Sequence, residues 1–138
     1  MFLHWFKSFL NPEFHVYTDG GYKRGMGTWA YVVVKNGRMT REASGLIRRT
    51  SSNEMEMRAV IEALTSFRKL SHIIIHTDSR ILIAAMNDVK KPSAWPDLVA
   101  EIKLAIKSHV VTWKWVRGHS GNPYNERCDQ LCILARTI

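Results

Sequence analysis

The stretch His72-Ile73-Ile74-Ile75-His76-Thr77-Asp78-Ser79 decides the fold class of this chain. Its first six residues include three consecutive isoleucines and are typical of a strand that lies at the centre of a sheet and is covered on both faces. Asp78 and Ser79 then begin a short helix that we expect to extend through Met86. A buried strand followed directly by a helix indicates an α/β fold.

Three strands are predicted before this unit. The first covers residues 14–18 and is expected to be broken by Asp19-Gly20-Gly21. The second covers residues 28–35, which are rich in β-branched and aromatic side chains. Asn36-Gly37 is the strongest short signal for a hairpin, and it leads into a third strand over residues 38–47.

The remaining elements alternate between helix and strand. After a predicted helix over residues 53–69 and the central strand, we expect a loop over 87–92, a helix over 95–107, a strand over 110–116 and a helix over 124–135. An antiparallel three-strand start followed by parallel crossovers implies a five-stranded mixed sheet with helices on both faces.

The overall composition is that of one globular domain. With 138 residues, 46% hydrophobic and 23% charged, the chain can bury a core, which argues against disorder. We expect an N-terminal extension over residues 1–13 and one domain over 14–138. The net charge of +8 favours a nucleic-acid partner over a membrane, although simple solubility also accounts for it.

Cysteine usage and hydropathy bear on the compartment. Cys128 and Cys132 lie one helical turn apart, and no further cysteine or histidine cluster completes a zinc site. We therefore expect both to be reduced helix residues of a cytoplasmic protein. No run approaches the roughly 20 apolar residues of a membrane span.

Four carboxylates occupy positions where a soluble domain rarely places one. Asp19 and Asp78 each follow an apolar strand-like run. Glu56 falls on the apolar stripe of its predicted helix, and Asp129 borders the stripe that includes Cys128. Buried ionised carboxylates are costly unless they are paired or bound to a metal ion, so a metal site is the first explanation to test.

The predicted sheet brings these carboxylates together. Neighbouring central strands carry Asp19 and Asp78, and the flanking helices bring Glu56 and Asp129 to the same edge. Two like charges at about 4 Å cost roughly 4 kcal/mol at an effective dielectric of 20. Hard divalent cations with oxygen ligands, Mg²⁺ or Mn²⁺, remove that cost. For any one acid a cap or salt bridge is the commoner role, but the four together favour catalysis.

The sequences around these acids resemble the type 1 ribonuclease H family over nearly the whole chain, residues 14–135. The shared motifs occur in family order: Thr18-Asp19-Gly20, Met55-Glu56, Thr77-Asp78-Ser79, and the long, specific block from Trp113 to Asp129. The resemblance implies a ribonuclease H-like fold and hydrolysis of the RNA strand of RNA–DNA hybrids. It also implies a mechanism with two metal ions, Mg²⁺ or substituting Mn²⁺, which leaves 5′-phosphate and 3′-hydroxyl ends.

The resemblance also assigns catalytic roles. Asp19, Glu56, Asp78 and Asp129 map onto the family's metal-binding acids, with Asp19 expected to bridge both ions. His119 maps onto a histidine on a mobile loop that assists proton transfer or product release, and Gly118 and Gly121 beside it agree with mobility. Glu126 maps onto an acid in the surroundings of the site.

The substrate-binding set is expected at the same edge. Contacts to 2′-hydroxyl groups across a wide minor groove select RNA, and the DNA strand needs a phosphate pocket and a stacking surface. Trp95 is either this stacking aromatic or a core residue. The expected substrate-binding residues are Gly20, Gly21, Ser51, Ser52, Asn53, Trp95 and Asn125. The expected partner is an RNA–DNA hybrid, bound by a monomer with no membrane contact.

Some features depart from the family pattern. Ser52 stands where an asparagine is usual, and Glu54 adds negative charge near the site. The segment 87–95 lacks the longer basic protrusion of many relatives, which predicts weaker or more salt-sensitive binding. Three alternatives stay open at this point: a DNA-cutting enzyme of the same fold, a nucleic-acid binding module without catalysis, and a ribonuclease H unit from a reverse-transcriptase polyprotein.

Overall fold

The computed structural model describes residues 13–87, 94–118 and 121–137. Five strands form one sheet in the order β3-β2-β1-β4-β5. Strands β1, β2 and β3 are antiparallel neighbours, and β4 and β5 continue the sheet parallel to β1. The strands are β1 Glu13–Lys23, β2 Met26–Lys35, β3 Arg38–Arg48, β4 His72–Thr77 and β5 Val110–Trp115.

Four helices accompany the sheet in the described residues. They are α1 Ser52–Thr65, α2 Arg80–Asn87, α3 Pro96–Ile106 and α4 Pro123–Arg136. The predicted order of strands and helices and the mixed five-stranded α/β sheet are confirmed. The predicted loop over 87–92 lies almost wholly outside the described residues, and so does the N-terminal extension apart from Glu13.

The predicted break of the first strand at Asp19-Gly20-Gly21 is wrong. Strand β1 continues through these residues to Lys23, because each of them pairs with a residue of β2 in the antiparallel ladder. The chain turns only at Arg24 and Gly25, which have φ angles of 53° and 80°. The predicted hairpin at Asn36-Gly37 is present, with φ angles of 52° and 74° that suit a two-residue turn.

Helix α1 begins where the sequence predicts and ends four residues earlier than predicted. Ser51 is the N-cap, and its hydroxyl accepts a hydrogen bond from the Glu54 amide at 3.2 Å. At the other end the hydroxyls of Thr65 and Ser66 donate to the carbonyls of Ile61 and Ala63. Such side-chain bonds compete with continued helix, so α1 stops before residue 69.

The two faces of the sheet bury separate clusters. On one face α1 packs with α3 over β1 and β4, around residues that include Val16, Val60, Leu64, Ile73 and Ile75. On the other face α4 covers Tyr17, Val32 and Val34 with Cys128, Leu131 and Cys132. The sheet is therefore held between helices, as the sequence predicts, and the ends of its central strands lie between them.

Helix α4 is fixed at its start and along its side. The Asn122 side chain accepts hydrogen bonds at 3.0 Å from the amides of Tyr124 and Asn125. Arg127 donates to both carboxylate oxygens of Glu42 on β3, at 2.8 and 2.9 Å. These contacts hold the helix that carries Asp129 in place against the sheet.

Candidate active site

Three of the four predicted carboxylates converge at one edge of the sheet. Asp19 lies on β1, two residues beyond the last β1–β4 pair, Tyr17 and His76, and Asp78 directly follows β4. Glu56 comes from the first turns of α1. One carboxylate oxygen from each of Asp19, Glu56 and Asp78 lies within 4.8 Å of the other two.

Gly20 allows helix α1 to approach the strand closely enough for this convergence. A Cβ atom at Gly20 would lie 2.3 Å from the Glu56 amide nitrogen and 2.4 Å from the Met55 carbonyl carbon. No side chain can occupy that space without moving the helix backbone. The Gly20 amide also donates to Asp19 Oδ1 at 3.0 Å, so part of the expected substrate-reading backbone is used within the site.

The carboxylates of this group are close enough to repel one another, and their burial and this repulsion raise the pKa values of Asp19 and Glu56. Burial, and then the charge of Asp78, raise the pKa of Asp19 from 3.8 to about 7. Glu56 is only 8% exposed, and burial followed by the charges of Asp19 and Asp78 raises its pKa well above the usual range. Both shifts mean that ionisation of this site needs a compensating positive charge.

A divalent cation fits this site. Glu56 Oε2 is buried and has no hydrogen-bond partner among the described residues, an unsatisfied acceptor in a place where such groups are rare. The donor set is all carboxylate oxygen, which is the ligand type that Mg²⁺ and Mn²⁺ prefer. Among the described histidine, cysteine, aspartate and glutamate side chains, this is the group whose ligand atoms approach closely enough to share an ion.

Asp129 lies beside the group and outside its tightest part. It is half-buried on α4, and its charge is the smallest of the contributions to the pKa of Asp19. The sequence predicts that all four acids lie at one edge of the sheet. In the structure Asp19, Glu56 and Asp78 form a close group, and Asp129 is not part of it. His119, the predicted catalytic histidine, lies outside the described residues.

Three residues in the surroundings of Asp78 were not predicted as site residues from the sequence. Trp115 Nε1 donates to the Asp78 carbonyl at 3.3 Å, and Arg80 lies 4.8 Å above the Trp115 ring. A Cβ atom at Gly118 would lie 2.9 Å from Asp78 Oδ2. The position of Trp115 at the end of β5 could have indicated this contact, because Trp115 pairs with Thr77 at the end of β4 and Asp78 follows Thr77.

The predicted substrate-binding residues fall into two groups. Ser51, Ser52 and Asn53 form the start of α1, and Gly20 and Gly21 lie on β1. Near the start of α3, the half-buried Trp95 packs against the core and lines a cleft with Glu54. Trp95 therefore has the contacts expected of a core residue, and it also lines a cleft, as a residue that stacks on the DNA strand would.

Asn125 and Glu126 lie together at the start of α4. Asn125 is 4% exposed, and its Oδ1 atom has no hydrogen-bond partner in the described chain. Glu126 is exposed in the first turn of the helix. A buried amide oxygen is poorly placed to meet a substrate directly, so the predicted substrate contact of Asn125 stays a prediction.

Both cysteines are free and buried against the site. Cys128 donates to the Tyr17 carbonyl at 3.3 Å, and Cys132 to the Asp19 carbonyl at 3.9 Å. Burial raises the pKa of Cys132 to about 12, and that of Cys128 rises for the same first cause. As protonated thiols they pack behind Asp19, and their positions on α4 without a disulfide agree with the prediction of reduced helix residues.

Similar proteins were found by sequence. The sequence model of the RNase H family matches residues 11–136. A ribonuclease H of Pseudomonas entomophila strain L48 is 34% identical over 137 residues, covering 88% of this chain and 92% of the relative. A ribonuclease H of Acidiphilium cryptum strain JF-5 is 38% identical over 136 residues, covering 88% and 84%.

No described helix is long and apolar enough to cross a membrane. Similar proteins were also found by structure. LC9-RNase H1, a type 1 RNase H with the type 2 active-site motif, superposes with a TM-score of 0.76 at 28% identity, covering 91% of this chain and 72% of that one. RNase H1 of Halobacterium salinarum NRC-1 has the same fold, with a TM-score of 0.76 at 21% identity over 91% and 98%. Because the family model and the relatives match nearly the whole length, and the fold agrees, this chain belongs to the RNase H family.

Proposed function

We propose that this protein hydrolyses the RNA strand of an RNA–DNA hybrid, leaving 5′-phosphate and 3′-hydroxyl ends. The convergence of Asp19, Glu56 and Asp78 within 4.8 Å carries the proposal. It is the arrangement that a metal-dependent phosphodiesterase needs, and its buried acceptor Glu56 Oε2 fits a metal ligand. LC11-RNase H1, a protein of the same fold with a TM-score of 0.73 at 22% identity, was solved in complex with an RNA/DNA hybrid.

The proposed cofactor is a pair of Mg²⁺ ions, with Mn²⁺ as a substitute. Asp19, Glu56 and Asp78 would hold them together with Asp129. Two such ions supply an activated water on one side of a phosphodiester and stabilisation of the leaving oxygen on the other. The chain itself contributes the rigid spacing of the carboxylates, because Asp19 lies inside a strand and Glu56 inside a helix.

The remaining roles follow the position of each residue. We assign the contacts that select ribose to Asn53 with the backbone amides near Gly20 and Gly21, and the phosphate pocket for the DNA strand to Ser51. Ser52 takes the place of the asparagine that is usual in the family. Trp95 is assigned to stacking against the DNA strand. His119 is assigned proton transfer near the leaving oxygen or release of the product, and Glu126 the surroundings of the site.

The test uses an end-labelled RNA–DNA hybrid beside matched duplex DNA and duplex RNA. Each is incubated with Mg²⁺, with Mn²⁺ and with EDTA. We expect metal-dependent cutting of the RNA strand of the hybrid alone. Cutting of duplex DNA would instead indicate a DNA-cutting enzyme of this fold, and hybrid binding without cutting would indicate a binding module. Light scattering of the purified protein tests the proposed monomer.

The matched control is Glu56→Gln, which keeps the size of the side chain and removes the charge that would hold the ion. We expect this variant to bind the hybrid and fail to cut it. If Glu56→Gln cut at the wild-type rate, the carboxylate group would not be the catalytic centre, whatever the wild-type protein does to the hybrid.

A further inference from the structure

A cleft of about 620 Å³ lies at the end of the sheet opposite the carboxylates. It is formed by the start of β1 at Phe14, the end of β2 at Lys35, Arg41 on β3 and the segment 66–71 that joins α1 to β4. Among the described residues that line it, four are cations and none is a carboxylate. The cations are Lys35, Arg41, Arg68 and Lys69.

Arg41 is held in a fixed orientation at the wall of this cleft. Its guanidinium carbon lies 4.3 Å from the centre of the Phe67 ring, and its Nη2 donates to Ser66 Oγ at 2.9 Å. Its Nε–H is buried without a hydrogen-bond partner in the described part of the chain. A planar guanidinium already ordered in this way loses little conformational freedom when it binds an anion.

The other cations add charge that no neighbouring acid offsets. Lys35 Nζ lies 5.3 Å from the centre of the Phe14 ring, and Arg68 and Lys69 are exposed. Two carboxylates are adjacent in sequence to lining residues, and both are paired elsewhere: Glu13 contacts His15 at 3.2 Å and His72 at 3.8 Å, and Glu42 accepts from Arg127 at 2.8 Å. Glu13 and His15 alternate with Phe14 along β1, and Glu42 alternates with Arg41 along β3, so both carboxylates face the other side of the sheet.

We propose that this cleft binds the phosphate groups of a nucleic-acid strand that extends, unpaired, beyond the cleaved hybrid. The proposal rests on the proposed function and adds a second contact to it. From Phe14 to Asp19 is five residues along β1, or roughly 17 Å at about 3.3 Å per residue. The cleft therefore cannot touch the scissile phosphate, but it lies within reach of phosphates several nucleotides away.

The chemistry favours phosphate over base recognition. Arg41 and Lys35 already cover faces of the two phenylalanine rings, so these rings offer little room for bases to stack. An ordered arginine beside the exposed cations Arg68 and Lys69 is suited to bind phosphate oxygens, and phosphate contacts do not depend on the base sequence. A flexible single strand can follow the protein surface to this end of the sheet, which a rigid duplex cannot do.

A purely structural role for two of these cations predicts something different. Arg68 and Lys69 follow the end of α1, where positive charge complements the helix dipole. If their role is only structural, Arg68→Glu with Lys69→Glu lowers the resistance of the protein to urea. It then weakens nucleic-acid binding no more than another double substitution that removes the same charge. The stability of the variant is therefore measured beside its binding.

The experiment compares two ligands and two double variants in EDTA, where no cutting occurs. The ligands are an RNA–DNA hybrid of about 12 base pairs, and the same hybrid with a single-stranded DNA extension of about 10 nucleotides. The variants are Arg68→Glu with Lys69→Glu, and the control Lys103→Glu with Lys107→Glu on the exposed side and end of α3. Both change the net charge equally.

The gain in affinity that the extension gives is the measured quantity. We expect this gain to be about tenfold larger for the wild-type protein and for the control than for the cleft variant, Arg68→Glu with Lys69→Glu. The salt dependence of that gain should be shallower in the cleft variant, by a slope of about 1.4 for two lost contacts. Equal losses in both variants would overturn the proposal, because only general charge would matter. An extension without effect on the wild-type protein would overturn it as well.

Inorganic phosphate distinguishes a strand site from a site for small anions. Phosphate titrated into the wild-type protein should shift the NMR signals of the Arg41 side chain and the 66–71 amides only at high concentration, and the extended hybrid should shift them at far lower concentration. Saturation by phosphate alone, with no effect of the extension, would overturn the strand assignment. Failure of the proposed function would appear separately, as absence of cutting of the unextended hybrid.

Discussion

Replacing Asp19 by asparagine should make the metal-free protein more stable at alkaline pH while abolishing cleavage. Burial and the charge of Asp78 raise the pKa of the Asp19 carboxyl from 3.8 to about 7. The folded protein therefore binds this proton more tightly than the unfolded chain does. Asparagine has nearly the same shape, carries no charge, and its amide can donate to the Glu56 carboxylate.

The sign and size of the effect follow from linkage. Because the folded pKa is the higher one, the favourable contribution is complete below about pH 4 and is lost as the pH rises through about 7. Each step of one in pKa corresponds to about 1.4 kcal/mol, so the folded wild-type protein loses at most about 4 kcal/mol by pH 8.5. Since Glu56 shares this proton binding, we expect Asp19→Asn to recover about 2–4 kcal/mol there and much less near pH 4.

Urea unfolding in EDTA, at about pH 4.5 and about pH 8.5, measures this difference. The control is Glu101→Gln, which removes one charge from an exposed carboxylate whose contact with Arg58 is 3.5 Å. Exposed ion pairs are worth about 0–1 kcal/mol, so its effect should be small at both pH values. An Asp19→Asn protein that is equally stable or less stable than wild type at pH 8.5 would refute the reasoning. Mg²⁺ should then stabilise the wild type far more than the variant.

Three further substitutions test separate parts of the structure. Gly20→Ala places a Cβ atom 2.3 Å from the Glu56 amide nitrogen, so we expect a loss of about 3 kcal/mol or more in urea unfolding, and a loss below about 1 kcal/mol would contradict the close packing. Trp115→Phe removes the donor to the Asp78 carbonyl; steady-state kinetics should show kcat reduced severalfold with KM little changed, and the opposite pattern would assign Trp115 to substrate binding. His119→Ala should slow turnover by about 10²-fold without abolishing it, as single-turnover and multiple-turnover assays can separate chemistry from release. An unchanged rate in both assays would remove His119 from the mechanism.

The fold could be predicted from sequence where the signal was local and regular. The isoleucine run of β4, the Asn36-Gly37 turn and the capped start of α1 are each specified by a few adjacent residues. The break expected at Asp19-Gly20-Gly21 failed because two glycines and an aspartate disfavour a strand only when nothing else pairs with it. Here β2 supplies the hydrogen bonds, and the missing side chain of Gly20 admits helix α1.

The sequence could identify the residues of the candidate site, but it could predict their spatial arrangement less well. The positions of Asp19, Glu56 and Asp78 follow from strand ends and a helical stripe, and the structure brings them together. That Asp129 stands apart from the closest three depends on how α4 is set against β3 by Arg127 and Glu42, which no local pattern encodes. The contact of Trp115 with Asp78 likewise depends on the register between β4 and β5.

The placement of Asp19 within a strand has a consequence for the lifetime of the protein. Carboxylates on loops can relieve their repulsion by drifting apart, but a residue fixed in the β1–β2 ladder cannot. The repulsion is then relieved only by protonation, by a bound cation, or by opening of the surrounding structure. We therefore expect removal of the proposed divalent cation to raise the population of opened molecules and to speed their degradation by proteases.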